Sequence, residues 1–522
     1  MFERTVGLVG ALRDFLRDRV TVTRAEEEIK RSLGRREEHF LDVARTQIYE
    51  RPASPYLTLL RLAGCEFSDL RRHVRGHGLE RTLEQLAREG VYLTADEFKG
   101  KREVARGGRS FRVSPRDLEP SDPWPGFVTQ SSGTTNHPIP SLIPLDVLAR
   151  RTLSTGVFFA AHELFSSRHA VYDAILPGAG GIYTLLTYAR LGIATERWFA
   201  REIPIDRWRQ GRGQYQRTYA IVLAGKIFGP GFPRPQFLDI GEVHRIVRWA
   251  TARRRGGRCC IKTAASNAAR IARVAWERGV SLEGTTFYVS GEPFTEAKRE
   301  AIERVGASAT CHYAFSPGVH VGHGCAHRLH TDDLHVNQHM LAVVSHPEPL
   351  AAEGPPIRPL LFTTLYPSAP RFLLNVANGD YAMVAQRDCG CALERVGLTL
   401  HLHHIRSYEK LTSEGMNYFT ADLFELLERA LPAEFGGGPG DYQLVEEEDD
   451  AGQTRLTLRV HPGVGAVSEA KVLARLQEGL AAGPWPNRFQ TAIWRGAGTL
   501  RMRREVPHAS ARGKILPLHL PQ

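Results

Sequence analysis

Short apolar runs alternate with amphipathic helical patterns through the middle of this chain, from about residue 116 to about residue 405. The runs TTFYVSG (285–291) and MLAVVSH (340–346) have the length and the β-branched or aliphatic content of buried strands. The segments SNAARIARVAWERG (266–279) and TEAKREAIERVG (295–306) carry apolar residues at the three- and four-residue spacing of helices. Alternation of this kind predicts an α/β fold, in which a parallel sheet is layered with helices.

The character of the sequence changes on both sides of this central region. With 522 residues the chain is too long for one simple core, so several domains are expected. The N-terminal part has mainly helical spacing, and the C-terminal part passes from a helix through an acidic, glycine-rich connection to further strands and a helix. We therefore expect a mainly helical N-terminal segment (1–115), an α/β core (116–405) and a small C-terminal α+β domain (406–522).

Net charge and cysteine usage narrow the class of protein. The net charge is +11, but the excess is mostly arginine spread along the chain, and no basic block is interleaved with aromatic residues. An anionic small ligand fits this charge better than nucleic acid does. No run of about 18 or more uncharged apolar residues occurs, so no membrane span is predicted. Seven cysteines without disulfide-like spacing predict a reducing, cytoplasmic environment.

A run of small hydroxyl residues around a glycine occupies positions 131–135 (SSGTT). It lies between the apolar stretches Phe127–Val128 and SLIPLDVL, which predicts a loop between two strands. Backbone amides and hydroxyls in such a loop can surround phosphate oxygens, and the glycine allows close approach. The GK[ST] ending of a P-loop is missing, which excludes that type of nucleotide triphosphatase. On these residues alone, a phosphate loop and a plain surface turn both remain open.

Further segments follow SSGTT in a particular order. They are SGEPFTEAKREAIERVGA (290–307), HYAFSP (312–317), NGD (378–380) and SARGK (510–514). This ordered set resembles the adenylate-forming ligase (acyl-CoA synthetase) superfamily, and most closely its phenylacetate–CoA ligase branch. The segments SPYLTLLRLAGCEFSDL (54–70) and DCGCALERVG (388–397) also resemble that branch. The resemblance implies a large multi-layer α/β domain followed by a small, mobile C-terminal α+β domain.

The resemblance also implies an AMP-forming ligase that works in two half-reactions. A carboxylate attacks the α-phosphorus of ATP to give an acyl-adenylate and pyrophosphate, and a thiol then displaces AMP. ATP, Mg²⁺ and CoA are the implied cofactors, and a small carboxylic acid is the implied substrate. CoA is the default acyl acceptor, with a carrier or acceptor protein or an amine as the alternative. A homodimer is compatible with this expectation.

Individual residues take roles by their match to the family motifs. Lys514 occupies the position of the catalytic lysine, and Glu409 lies near the hinge of the small domain. The implied nucleotide-binding residues are Ser131, Ser132, Gly133, Thr134 and Thr135 at the pyrophosphate, Gly291, Glu292 and Pro293 along the adenine pocket, Tyr313 and Ser316 beside adenine and the α-phosphate, and Asp380 and Arg406 at the ribose.

The segment HYAFSPG departs from the family pattern at one position. The family has an acidic residue there, usually a glutamate that coordinates Mg²⁺, whereas this chain has Pro317. A proline side chain cannot bind a cation, so magnesium must be handled differently. A second hypothesis therefore stays open, namely a nucleotide-binding scaffold with weakened catalysis.

Cysteines and histidines cluster in the later part of the core. Thiolate and imidazole are ligands that tetrahedral Zn²⁺ prefers. Some members of the family hold a structural zinc in this region, and the ligands implied here are Cys325, His335, Cys389 and Cys391. His327 and His330 are rivals of His335 for the imidazole position. Reduced, buried cysteines without a metal are the alternative.

Overall fold

The computed structural model describes most of the chain, and every structural statement below concerns that part. The described residues are 2–120, 124–130, 140–178, 180–201, 212–253, 257–315, 318–349, 358–407, 412–413, 416–417, 420–448, 454–481, 500–510 and 513–519.

Strands occur along most of the described chain. They are β1 (Val104–Arg106), β2 (Arg109–Phe111), β3 (Gly126–Gln130), β4 (Pro140–Pro144), β5 (Arg168–Tyr172), β6 (Thr195–Arg201), β7 (Pro235–Leu238), β8 (Cys259–Ala264), β9 (Thr285–Ser290), β10 (Ser308–Phe315), β11 (Val319–Gly324), β12 (Leu334–Val336), β13 (Leu341–Ser345), β14 (Pro359–Thr364), β15 (Val376–Gln386), β16 (Leu400–Ser407), β17 (Thr412–Ser413), β18 (Met416–Asn417), β19 (Tyr442–Glu448), β20 (Thr454–Val460), β21 (Leu500–Arg503) and β22 (Leu518–His519).

Helices fill the N-terminal part and separate many of these strands. They are α1 (Phe2–Arg17), α2 (Val22–Gly34), α3 (Arg36–Ala44), α4 (Pro55–Leu62), α5 (Phe67–His77), α6 (Leu79–Arg88), α7 (Ala95–Phe98), α8 (Leu145–Ala161), α9 (Gly180–Arg190), α10 (Arg212–Phe228), α11 (His244–Arg253), α12 (Ala265–Glu277), α13 (Glu296–Glu303), α14 (Ala392–Arg395), α15 (Thr420–Glu425), α16 (Leu431–Phe435) and α17 (Glu469–Ala481). Among the described helices, none combines the length and apolar character that a membrane crossing requires.

A twelve-stranded mixed sheet forms the centre of the large domain. Its strands lie in the order β13-β14-β15-β16-β12-β11-β10-β9-β8-β5-β6-β7. The strands from β10 to β7 pair in parallel, as the alternating sequence pattern predicts. The strands from β13 to β10 pair antiparallel, because they are joined without the long crossover helix that a parallel pair needs. The predicted parallel sheet is therefore one half of the observed sheet.

The N-terminal segment is mainly helical and covers the antiparallel half of this sheet. Helices α3 to α6 contribute Phe40, Leu70 and Leu83 to one apolar core, which they share with Leu341 of β13 and Phe362 of β14. These side chains are almost completely buried. The helical spacing of apolar residues in this segment thus corresponds to one face packed against the sheet.

The C-terminal part has a sheet and an apolar core of its own. Its four strands lie in the order β21-β20-β19-β22, and α15 and α17 pack against them. Leu444, Leu458 and Leu476 are fully buried in this core. The large sheet continues through β16 to Ser407, so the predicted boundary between residues 405 and 406 falls within a strand of the large domain.

A buried ion pair joins the two domains. Nζ of Lys298 on α13 lies 2.8 Å from Oε1 of Glu428, which belongs to a π-helical turn after α15, and the two side chains are 1% and 7% exposed. Thr295 donates its hydroxyl hydrogen to the same carboxylate, and the ammonium also donates to the carbonyl of Pro293 at 3.2 Å. The ring of Phe424 lies 5.1 Å from the ammonium. The segment that follows β9 is thereby fastened to the small domain.

Removing one partner of this pair should destabilise the protein. Glu428→Leu leaves a buried ammonium without its carboxylate, so we expect the free energy of unfolding to fall by about 3–5 kcal/mol. The double variant Lys298→Met/Glu428→Leu should recover most of that loss, because no buried charge remains. Urea denaturation followed by circular dichroism measures both.

The control is the exposed pair Arg429–Glu300, which joins the same two domains at 2.7 Å with side chains 46% and 43% exposed. Arg429→Met should cost less than about 1 kcal/mol. A Glu428→Leu variant as stable as Arg429→Met contradicts the account.

Candidate functional site

The order in which the chain adds parallel strands to the sheet reverses between β5 and β8. Strands β5, β6 and β7 follow one another outward on one side, and β8, β9 and β10 do so on the other. In open α/β sheets, ligands bind in the crevice at the carboxyl ends of the strands at this point. The hydroxyl of Thr263 in β8 donates to the carbonyl of Tyr172 in β5 at 2.9 Å and links the two strands there.

Gly291 follows β9 at this edge and lies against Lys514. Its φ is +89°, a conformation that residues with a side chain disfavour. A Cβ atom at this position would lie 2.8 Å from Cε and 3.0 Å from Nζ of Lys514, so the lysine side chain crosses directly over the glycine backbone. Because His312 of β10 pairs with Ser290 of β9, the next residue, Tyr313, lies at the level of Gly291. The structure thus brings three predicted residues to one place.

The small domain shapes the loop that carries Lys514. The side-chain amide of Gln443 donates to the carbonyls of His508 at 3.1 Å and Leu516 at 2.8 Å, and it accepts from the His508 N–H at 2.6 Å. Within the loop, the Ser510 hydroxyl oxygen accepts from the Lys514 N–H at 3.2 Å, and the Ser510 N–H donates to the Lys514 carbonyl at 2.9 Å. These bonds close a turn around the lysine.

The large domain holds the same loop from the other side. The guanidinium of Arg201, at the end of β6, donates to the carbonyls of Ala509 at 2.9 Å and of Ser510. Gly513 lies on the side chain of Asn267 at the start of α12, where an added Cβ would come within 2.2 Å of Oδ1. Both domains therefore fix the position of the lysine at the carboxyl edge.

Tyr313, Asn378 and Asp380 form a hydrogen-bonded group. The Tyr313 hydroxyl donates to Oδ2 of Asp380 at 2.5 Å. The Asn378 amide donates to the same oxygen at 2.9 Å and to the Tyr313 hydroxyl oxygen at 2.7 Å, and its own Oδ1 accepts from the Asp380 N–H at 3.1 Å. These bonds fix the orientation of the Asp380 carboxylate. Within the described part of the chain, its other oxygen has no hydrogen-bond donor.

The GEP segment ties the edge to the helices beside it. The carboxylate of Glu292 accepts from the N–H of Ser266 at 2.7 Å and from its hydroxyl at 2.6 Å, which places a negative charge at the N-terminus of α12. The carbonyl of Pro293 accepts from Lys298 in α13. The segment is thereby connected to the helices that follow β8 and β9.

Several predicted residues lie outside the described part of the chain. They are Ser131, Ser132, Gly133, Thr134, Thr135, Ser316 and Glu409, together with Pro317. The strands on either side of SSGTT are described: β3 and β4 pair antiparallel from Gly126–Pro144 to Gln130–Pro140. The two strands expected on either side of SSGTT are therefore present.

Arg406 points away from the Tyr313–Asp380 group. In the antiparallel register Asp380 pairs with Ser407 and Tyr381 pairs with Arg406, and side chains alternate between the faces of a sheet. Arg406 and Asp380 therefore lie on opposite faces. The Arg406 guanidinium donates to Asp332 at 3.0 Å, and the ribose contact expected of it stays a prediction.

The four cysteine and histidine residues expected at a metal come together. One ligand atom each from Cys325, His335, Cys389 and Cys391 lies within 4.8 Å of the others. Nε2 of His335 is 3.1 Å from Sγ of Cys391 and 3.5 Å from Sγ of Cys389. Nδ1 of His335 donates to the carbonyl of Leu398 at 2.6 Å, which leaves Nε2 as the ligand atom. This donor set fits a tetrahedral Zn²⁺ ion.

The electrostatics of the cluster favour a thiolate. A hydrogen bond from the Cys325 thiol, together with the His335 imidazole, holds the pKa of Cys391 well below its usual value. Neither rival histidine belongs to the group. His327 donates to the carbonyl of Cys389 at 2.7 Å and is exposed, and His330 stacks on a different ring system.

A second layer of polar residues surrounds the cluster. Asp333 is buried and accepts from Arg387 and from Nδ1 of His401, the latter at 2.8 Å. The Arg387 guanidinium lies 3.6 Å from Sγ of Cys325, and the His401 ring packs 4.0 Å from the ring of His335. Residues of this kind orient metal ligands and adjust their charge.

Several residues that build the site were not among those predicted from the sequence. Asn378 stands within the NGD segment, so its position was a usable signal. Asn267 lies in a segment that only predicted a helix, and Arg201 and Gln443 belong to no motif. Each of the three acts through a contact between distant segments. Such contacts can be recognised only in the folded structure, where segments that are distant in sequence lie side by side.

Comparison with solved structures identifies the fold. A 2-hydroxyisobutyryl-CoA ligase in the postadenylation state, in complex with R3-HIB-AMP, is similar over 97% of this chain and 91% of its own, with a TM-score of 0.54 and 14% identity. The chain has the fold of the adenylate-forming ligases. No protein-family model and no curated protein matches its sequence.

Two further structures with this fold match less closely. The same 2-hydroxyisobutyryl-CoA ligase with 2-HIB-AMP and CoA, in the thioesterification state, covers 95% of this chain and 90% of its own, with a TM-score of 0.45 and 17% identity. An anthranilate CoA ligase in complex with anthranoyl-AMP covers 74% of this chain and 65% of its own, with a TM-score of 0.43 and 12% identity.

Proposed function

We propose that this protein is an AMP-forming ligase that activates a carboxylic acid with ATP and then transfers the acyl group to a thiol, by default that of CoA. The observation that carries the proposal is the position of Lys514 over the backbone of Gly291, at the carboxyl edge of the parallel strands. A cation at this place, next to the strand that carries Tyr313, is what acyl-adenylate formation requires.

In the first half-reaction, a carboxylate oxygen of the acid forms a bond to the α-phosphorus of ATP. The bond from that phosphorus to the bridging oxygen breaks, and pyrophosphate leaves. Negative charge accumulates on the α-phosphate oxygens and on the leaving group. The ammonium of Lys514 stabilises this charge, and both domains hold its loop in place, so little reorganisation is needed.

The Tyr313–Asp380 group gives the nucleotide its orientation in this proposal. The oxygen of Asp380 that has no described donor accepts a hydrogen bond from a ribose hydroxyl, while Tyr313 and Asn378 fix the other oxygen. The loop SSGTT binds the pyrophosphate end. Mg²⁺ accompanies the ATP without a side-chain ligand from Pro317.

In the second half-reaction, a thiol sulfur attacks the acyl carbon and AMP leaves with the oxygen that the acid supplied. CoA, a carrier protein and an amine differ only in the nucleophile at this step, and CoA is our first choice.

The weakened scaffold remains the second candidate, because Pro317 takes the place of a metal-binding acid. We also propose a cytoplasmic location, which the seven free cysteines support, and the three-part domain division given above, with the C-terminal domain beginning after Ser407, where β16 ends.

Lys514→Ala should lower acid-dependent exchange between ATP and labelled pyrophosphate by about 100- to 1,000-fold, because the cation that stabilises the transition state is lost. The assay uses a panel of aryl, hydroxy and fatty acids. Lys471→Ala serves as the control, since Lys471 is an exposed lysine on α17 of the same domain and should leave exchange unchanged. Exchange that survives in Lys514→Ala contradicts the assignment, and absence of exchange with every acid in the wild type favours the scaffold.

Gly291→Ala should slow exchange by about 10- to 100-fold, because the new methyl group displaces the lysine. The matched control is Gly284→Ala. Gly284 has φ of +78° and nothing within 4 Å of an added Cβ, so it carries a similar backbone strain without the contact. Equal exchange rates in the two variants would mean that the contact with Lys514 does not matter.

We further propose that Cys325, His335, Cys389 and Cys391 bind one structural Zn²⁺. The ion fastens the segment before α14 to the loop after β11, away from the carboxyl edge. The fit of the four ligand atoms and the fixed orientation of His335 support this proposal.

Metal analysis of the purified protein should find about one Zn²⁺ per chain. Cys391→Ser should lose the metal and melt at a lower temperature, because the folded state loses the free energy of metal binding. The control is Cys65→Ser, which removes another buried thiol that is remote from the cluster and should keep the zinc. Wild-type protein with much less than one zinc, together with a stable Cys391→Ser variant, would exclude the site.

A further inference from the structure

Three histidines outside the Cys–His cluster form a second group of potential metal ligands. One ring nitrogen each from His330, His403 and His404 lies within 4.8 Å of the others. The ring of His330 stacks on that of His403 with centroids 4.1 Å apart, and it lies 4.7 Å from the ring of His404. Nδ1 of His403 and Nδ1 of His404 are 2.7 Å apart, at hydrogen-bonding distance. Three imidazoles converge on one point from two separate segments.

The backbone at His404 is arranged so that this convergence is possible. His403 and His404 are consecutive in β16, and consecutive side chains of a regular strand point to opposite faces. His404 has φ of +53°, the left-handed conformation that a residue with a side chain rarely adopts. The two carboxylate oxygens of Asp332 accept from the N–H groups of His404 at 2.8 Å and Ile405 at 2.9 Å. These bonds maintain the unusual conformation, which turns the His404 ring towards its neighbour.

The surroundings leave room for an ion and for a further ligand. His330 and His404 line a cavity of about 450 Å³, together with Asp332, Glu296 and Thr331. The three arginines that line this cavity are paired with carboxylates: Arg406 with Asp332 at 3.0 Å, Arg328 with Glu303 at 3.2 Å, and Arg299 with Glu296 and Glu303. The positive charges nearby are therefore compensated.

We propose that His330, His403 and His404 form a second metal site, which takes a divalent transition-metal ion such as Ni²⁺ or Cu²⁺ and leaves a coordination position open towards the cavity. Imidazole nitrogen is a preferred ligand of these ions. Nitrogens at about 2.0–2.1 Å from a tetrahedral ion are about 3.3–3.4 Å apart, so a small rotation of the rings accommodates the metal. The site is independent of the ligase activity.

The location predicts what such an ion does. His330 belongs to the loop between β11 and β12, and His403 and His404 lie three and two residues before Arg406, near the end of the last strand of the large domain. An ion bound here ties that loop to the strand that leads into the small domain. The thiolate cluster, in contrast, has four protein ligands and no open position.

The test is a titration of the full-length, untagged protein, with its thiolate site filled with zinc, by Ni²⁺ in a calorimeter. The wild type should bind one equivalent of Ni²⁺ without releasing zinc, as measured by metal analysis of the protein. His330→Ala and His403→Ala, which alter different segments, should each weaken that binding by about 100-fold or more.

The matched control is His77→Ala. His73 and His77 form another close histidine pair, on α5, with ring centroids 5.9 Å apart. The His77→Ala variant should bind Ni²⁺ as the wild type does. Binding that disappears in His77→Ala but persists in His403→Ala overturns the proposal, and so does a wild type that binds no Ni²⁺ beyond exchange with its zinc.

Discussion

The contact between Lys514 and the backbone of Gly291 is possible only because residue 291 has no side chain. The glycine combines a positive φ with the space that the lysine occupies. The small domain must stand where its loop can reach β9, and the buried pair Lys298–Glu428 and the guanidinium of Arg201 hold it there. The positive φ and the missing side chain of Gly291 therefore allow a loop of the small domain to contact the large sheet.

The same strand edge explains why residues far apart in sequence meet. Parallel strands point their carboxyl ends in one direction, so the segments after β8, β9 and β10 share one crevice. Asn267, Gly291 and Tyr313 are found there for this reason. Asp380 belongs to β15 in the antiparallel half of the sheet, and its carboxylate accepts a hydrogen bond from the Tyr313 hydroxyl. Parallel and antiparallel strands thus contribute to the same group, although only the parallel half was expected from the sequence pattern.

Much of the architecture was predictable from periodicity, and part of the site was predictable from motifs. The segments 285–291 and 266–279 correspond to β9 and α12 as expected, because burial of one or both faces of an element requires a regular pattern of apolar residues. Of the three candidate histidines, His335 is the one whose ring nitrogen lies with the three cysteine sulfurs, and its role as a zinc ligand stays a prediction. The ribose contact of Arg406 stays a prediction: the motif gives its position along the strand, whereas the alternation of side chains, which turns it to Asp332, has no mark in the motif. The conformation of His404 has no signature in the sequence, since it depends on a carboxylate from another loop.

The central claim is that a carboxylate attacks the α-phosphorus of ATP at this edge. It is tested most directly by incubating the protein with ATP, CoA and a panel of aryl, hydroxy and fatty acids labelled with ¹⁸O in the carboxyl group, and by mass spectrometry of the nucleotide products. The account predicts that at least one acid transfers one ¹⁸O atom to AMP, because the oxygen that bonds to phosphorus stays with AMP when the acyl group leaves. Formation of ADP, of unlabelled AMP, or of no AMP with any acid would contradict it.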